Sequence, residues 1–168
     1  MALLRCSSSL LVQLGAAGAI GDPAERARGC LGDWCASKIP LGSRPAVLFM
    51  SERTLLSFVI FEGKPVDAQA LGAWFWRGLA QVLAMEGCKK KQVAKVVDSY
   101  SELFVVNVGS ASRTTQMNSL ARDYRHLVQV YGGLKRCDIG AVIESVNHRP
   151  RKRLAFATPA ELARKALA

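Results

Sequence analysis

A chain of 168 residues, 50% hydrophobic and 21% charged, has enough apolar mass to fill one core and too much to remain disordered. No apolar run approaches the roughly 18 residues that a spanning helix needs, so a helical membrane protein is excluded. The 23 Lys+Arg against 13 Asp+Glu leave a net charge of +10, which favours anionic partners such as nucleic acid, phosphorylated ligands or acidic proteins.

Along the chain, Ala2 to Cys6 reads as a short strand. Ser7 to Ser9 supply an N-cap for a helix that puts Leu10, Leu11 and Leu14 on one face. Residues 15–32, rich in Gly and Ala and containing Pro23, read as a surface loop or insertion. Three β-rich stretches follow, Asp33 to Leu41, Ala46 to Ser51 and Leu55 to Phe61. They predict an antiparallel meander that buries Val47, Phe49, Leu55, Phe58 and Ile60. The period then changes. Asp67 caps a helix with Leu71, Trp74, Phe75, Leu79, Val82 and Leu83 at helical spacing, ending at Gly87. Lys89 to Val97 predicts a second helix with a lysine face, and Glu102 to Val108 a strand. Ser112 to Tyr131 is the longest helical pattern, striped by Met117, Leu120, Tyr124, Leu127 and Tyr131 and stopped by Gly132-Gly133. Asp138 caps a helix through Val146. After the tract Arg149-Pro150-Arg151-Lys152-Arg153, the sequence Thr158-Pro159-Ala160-Glu161 opens a last helix as a capping box.

This order predicts an α+β fold: a small antiparallel sheet of about four or five strands, helices packed on one face, and a helical C-terminal third. Residues 1–168 read as a single domain, without internal repeat or linker.

Groups that carry chemistry are few. Cys6, Cys30, Cys35, Cys88 and Cys137 form neither a CxxC pair nor a disulfide framework, and with no signal-peptide pattern the chain is expected to be cytoplasmic with reduced thiols. His126 and His148 are the only histidines, and no nucleophile elbow, phosphate loop or dinucleotide fingerprint is present. No catalytic residue, metal site or cofactor is assigned. Trp34, Trp74 and Phe75 read as core, while Trp76 falls off the apolar stripe. The sharpest feature is basic. Residues 1–108 hold 12 Lys+Arg and 9 Asp+Glu (+3), whereas residues 109–168 hold 11 and 4 (+7). Arg149, Arg151, Lys152 and Arg153 follow a helix on a Pro150-stiffened turn, a pattern suited to phosphate oxygens. Arg113, Arg122 and Arg125 are expected to extend that patch along the long helix. Lys89, Lys90, Lys91 and Lys95 read as a solvated face.

Leu3-Leu4-Arg5-Cys6 with Leu10-Leu11, Leu31-Gly32-Asp33-Trp34, Val47-Leu48-Phe49 to Thr54-Leu55-Leu56-Ser57, Met117-Asn118-Ser119-Leu120, and Asn147 with Pro150 and Pro159 carry a resemblance in order and spacing. On these pieces the chain resembles, over nearly its full length, an uncharacterised bacterial domain family of unknown function. That resemblance implies a compact stand-alone domain and brings no activity; residues 15–30 depart from it as an insertion. Locally, Asn147 to Leu162 is similar to the end of the integrase-like core of insertion-element transposases. The acidic triad of those enzymes is missing, because the position of its glutamate reads Arg113-Thr114-Thr115-Gln116. Two-metal strand transfer is therefore not expected.

The leading expectation is a binding domain that contacts nucleic acid through Arg149, Arg151, Lys152 and Arg153, extended by Arg113, Arg122 and Arg125. The alternative is a protein-interaction module with one protein partner, such as an antitoxin or a phage/host inhibitor. The third is a small enzyme using Cys35 or His148. The sequence sets no oligomeric state.

Overall fold

Short apolar stretches in the first 61 residues build most of one sheet, and the helical periods that follow cover it. The computed structural model describes residues 2–15, 29–61 and 67–168. Among these, the strands are β1 (Ala2–Cys6), β2 (Trp34–Leu41), β3 (Arg44–Ser51), β4 (Ser57–Phe61) and β5 (Leu103–Asn107), in the order β4-β3-β2-β1-β5. The helices are α1 (Ser8–Gln13), α2 (Ala68–Met85), α3 (Lys90–Ser99), α4 (Ala111–Val130), α5 (Ile139–Asn147) and α6 (Pro159–Leu167), with a 3-10 turn at Lys152–Leu154. The fold is α+β, with a helical C-terminal part. Residues 16–28, most of the expected 15–32 loop, lie outside the described residues. Of the rest of that loop, Leu31 is fully buried, and its N–H donates to Tyr100 Oη at 3.1 Å.

The meander is as expected, β2-β3-β4 pairing antiparallel with Phe49 opposite Phe58 and Trp34 opposite Ser51. The sheet as a whole is mixed rather than antiparallel, because β1 lies parallel to both β2 and β5. A second correction concerns the layers. Adjacent residues of a strand point to opposite faces. Phe58 packs on Phe75 of α2, at 6.2 Å between ring centroids, while the neighbouring Ser57 hydroxyl meets Tyr124 Oη of α4 at 3.0 Å. The helices thus cover both faces, which is why β1 is buried along its whole length and β3 from Ala46 to Ser51.

On the α2 face Trp34, Phe49, Phe58, Phe75 and Tyr100 form an aromatic cluster, with Trp34 edge-on to Phe75 at 5.2 Å. Trp76 is half-buried and donates its indole N–H to the Tyr100 carbonyl at 2.7 Å. On the α4 face the packing is centred on Met117, Leu120, Ala121, Tyr124, Leu127 and Val128. Asn147, fully buried at the end of α5, uses its carboxamide as a surrogate strand: Nδ2 donates to the Ser57 carbonyl at 2.8 Å, and Oδ1 accepts from the Ser57 N–H at 2.9 Å. The capping box of α6 forms as read, Thr158 and Glu161 each satisfying the other's backbone N–H with Pro159 in the first turn.

Candidate functional site

The site is built from α4 and the segment that follows α5. At about 100° per residue, Ser112, Gln116, Ser119 and Asp123 fall within an arc of roughly 60° beside the buried stripe of α4. The basic segment lies lengthwise against this arc, in the opposite direction. Arg149 Nη1 meets Asp123 Oδ1 at 3.2 Å, and Arg151 Nη1 pairs with Asp123 Oδ2. At the other end, Arg153 Nη1 donates to Ser112 Oγ at 2.7 Å. From Ser112 to Asp123 the helix spans about 16 Å. Between the two walls runs a groove of about 680 Å³, lined by Leu55, Gln116, Ser119, Leu120, Pro150 and residues 151–153.

Local chain geometry holds the cations in place. The Arg151 N–H donates to the Ala157 carbonyl at 3.1 Å, and the Phe156 N–H to the Arg151 carbonyl at 2.9 Å, closing a tight loop. Leu154 packs inward against the core. Ala155 and Phe156 then take φ values of 51° and 64°, a left-handed pair costing on the order of 1–2 kcal/mol per residue where no glycine is present. The Phe156 side chain is 70% exposed.

Charge in the groove is only partly neutralised. One carboxylate serves both Arg149 and Arg151, and the exposed Lys152 side chain has no hydrogen-bond or ionic partner among the described residues. Arg151 is mostly buried, at 13% side-chain exposure. Its Nη2 donates to the Val146 carbonyl at 3.2 Å, and its buried Nε has no hydrogen-bond partner among the described residues. The guanidinium is therefore oriented by contacts within the protein.

The other expected patch residues lie elsewhere. Arg113 Nε meets Glu52 Oε1 at 2.8 Å, as does Arg5 Nε, and Arg5 also faces Asp33 at 3.5 Å. Arg113 thus belongs to a largely buried ion network that ties α4 to the sheet. Arg122 and Arg125 are exposed on α4 and fall roughly 60° and 120° beyond the groove-facing arc. Lys89, Lys90, Lys91 and Lys95 are exposed at and along α3.

Both residues of the enzyme expectation meet an acid. Cys35 Sγ is 3.6 Å from Glu52 Oε1, but the thiol is buried. Burial first, and then the adjacent carboxylate, push its pKa well above the usual thiol range, so it stays protonated and poorly nucleophilic. His148 Nε2 lies 3.0 Å from Oε2 of buried Glu86, which Arg164 also approaches at 3.7 Å. This cluster joins the ends of α2 and α5 to α6. Among the described residues, no group of three or more His, Cys, Asp or Glu side chains could hold a metal ion, and no helix is long and apolar enough to cross a membrane.

Sequence reasoning did not identify Asp123 as the organiser of the arginines, nor Gln116 and Ser119 as part of the groove's α4 wall. Helical periodicity would have placed the two polar residues on one line with Asp123. Nothing local marks Asp123 itself, because its partners lie 26 and 28 positions away.

A family model described as a domain of unknown function, DUF6933, matches residues 3–162, and the chain belongs to that family. The matched span includes the whole of Arg149 to Arg153. No curated protein matches the chain.

Proposed function

We propose that this protein is a binding domain that takes the phosphate backbone of a nucleic acid into the groove between α4 and residues 149–154. The observation that carries the reading is the charge balance of that groove: Arg149, Arg151, Lys152 and Arg153 stand along one helix face, with Asp123 the only carboxylate paired to them among the described residues. Asp123 holds one edge of the exposed Arg149 guanidinium and leaves its other N–H donors, with those of exposed Arg153, available to a phosphate in the bidentate manner that suits arginine. Buried Arg151, held also by the Val146 carbonyl, adds charge from behind. Lys152 adds a mobile point charge. Gln116 and Ser119 offer neutral donors on the opposite wall.

Such contacts position a backbone without reading its sequence. Three or four of them give a plot of log K against log salt with a slope of about −2 to −4. The test is fluorescence anisotropy with a labelled oligonucleotide between about 50 and 200 mM salt. Changing Arg149, Arg151, Lys152 and Arg153 together to Ser should abolish the low-salt binding. Because Arg151 is built into the fold, the double variant Lys152→Ser/Arg153→Ser, confined to exposed side chains, should weaken affinity and lower the slope by about one to two units. Unchanged affinity at low salt in both variants would refute the proposal. Co-purification of one protein partner that persists at high salt, without salt-sensitive oligonucleotide binding, would favour the interaction-module reading instead.

A further inference from the structure

We infer that the groove's ligand is a single-stranded nucleic acid and that Phe156 stacks on one of its bases. This rests on the nucleic-acid reading above and adds the strandedness and an aromatic contact. Phe156 is the most exposed of the described aromatic side chains, at 70%, and it stands in the same loop as exposed Lys152 and Arg153. Its position is built rather than incidental. Leu154 anchors the loop on the core, the left-handed pair Ala155-Phe156 reverses the chain, and the Phe156 N–H is bonded to the carbonyl of Arg151, which lines the groove. A left-handed backbone thus presents a large apolar side chain to water in a loop that also carries exposed cations.

An exposed aromatic ring in the same loop as exposed cations suits unpaired bases: the cations track the phosphates and the ring covers a base face. In a duplex both faces of each base are occupied by its neighbours, so a lone ring finds no face without unstacking a step. A single strand offers its bases at no such cost. Because every base has a π-face, the expected preference is for strandedness rather than for sequence.

The experiment uses the full chain and three labelled probes of equal strand length: oligothymidylate, an abasic strand with the same phosphates, and a duplex. The expected wild-type result is roughly tenfold tighter binding of oligothymidylate than of the abasic strand, with the duplex no tighter than the abasic strand. Phe156→Ala should erase the advantage of the bases while leaving abasic affinity and its salt slope unchanged. Phe156→Leu, which keeps apolar bulk without the ring, should lose most of it. Equal binding of oligothymidylate and the abasic strand, an unaltered ratio in Phe156→Ala, or tighter binding of the duplex would overturn the inference while leaving the groove's phosphate contacts standing. Failure of the wild type to bind any probe at low salt would remove the nucleic-acid reading itself, and this inference with it.

Discussion

Asp123→Asn separates a groove that binds anions from one that merely folds, because the two readings give opposite signs. The side chain keeps its shape and one acceptor oxygen but loses its charge, raising the net charge from +10 to +11. Stability should fall. Asp123 is 21% exposed and Arg151 13%, so the pair lies between a solvated bridge and a buried one. Arg151 retains its bond to the Val146 carbonyl. A loss of about 1–2 kcal/mol follows, above the value of a surface pair and below that of a fully buried one. Affinity for a phosphate should rise. An anion on the outer edge of exposed Arg149 sits about 7 Å from the carboxylate, the span of two hydrogen bonds and the guanidinium between them. Removing that repulsion is worth roughly 0.6 kcal/mol at the dielectric of water and about 2.4 kcal/mol at an effective dielectric of 20. Salt near 0.1 M screens over about 10 Å and pulls the figure toward the lower end, so the gain is about three- to tenfold.

Thermal denaturation and oligonucleotide anisotropy on the same preparation read both quantities. Asp98→Asn makes the same change of charge on exposed α3, outside the groove, and controls for net charge; it should alter affinity by less than about twofold. A lower Tm with unchanged or weaker binding in Asp123→Asn would mean that the carboxylate serves the fold alone, and the charge argument would be wrong.

Three further outcomes follow from the packing. Asn147→Ala strips partners from both backbone groups of Ser57 in the interior and should cost about 2–5 kcal/mol in urea denaturation; a loss under 1 kcal/mol would show that water replaces the carboxamide. Gly78→Ala would place a Cβ 2.2 Å from a ring carbon of Phe58, so the variant should melt lower by about 1–3 kcal/mol despite alanine's better helix propensity, and a rise in Tm would contradict the close approach of α2 to the sheet. Burial raises the pKa of both Tyr100 and Tyr124 above the ordinary value of 10, so the folded chain keeps these phenols protonated where the unfolded chain ionises. Stability from this source is intact below about pH 10 and declines as pH climbs beyond it, and Tyr124→Phe should flatten part of the fall in a Tm series across that range.

How far the sequence speaks depends on how local each feature is. The α6 start was legible because Thr158, Pro159 and Glu161 satisfy one another within a single turn. The α2 stripe was legible because helical periodicity needs no partner. The direction of β1 was not, since its five residues are compatible with either orientation and its neighbours β2 and β5 come from distant parts of the chain. Both-sided burial of the sheet could have been suspected from the unbroken apolar run Ala46 to Met50 in β3. In the site, the cations of 149–153 stood out as composition, but their arrangement did not. Asp123 lies between Arg122 and a tyrosine, and Arg125 follows two positions later, so it reads as an ordinary charge on a solvated helix. Ala155 and Phe156 carry no glycine or asparagine signal for a positive φ, which arises only because both ends of their loop are tied down.

That tying down is what distinguishes this basic segment from a flexible arginine-rich tail of equal charge. Upstream, Asn147 is locked to β4 and His148 meets Glu86; downstream, a capped helix begins at Pro159. Between these fixed points Arg151 is oriented by Asp123 and Val146, and Arg153 by Ser112. A disordered tail must order its side chains and backbone when it binds, a cost that subtracts from affinity. Here the backbone loop and the Arg151 and Arg153 side chains are already ordered in the folded protein, so less of that cost remains for the proposed binding. The Asp123 carboxylate lowers the groove's positive charge and in return holds two guanidinium groups in place. Such a trade is reasonable for a surface that must position a partner, and has little use in one that needs only to remain soluble.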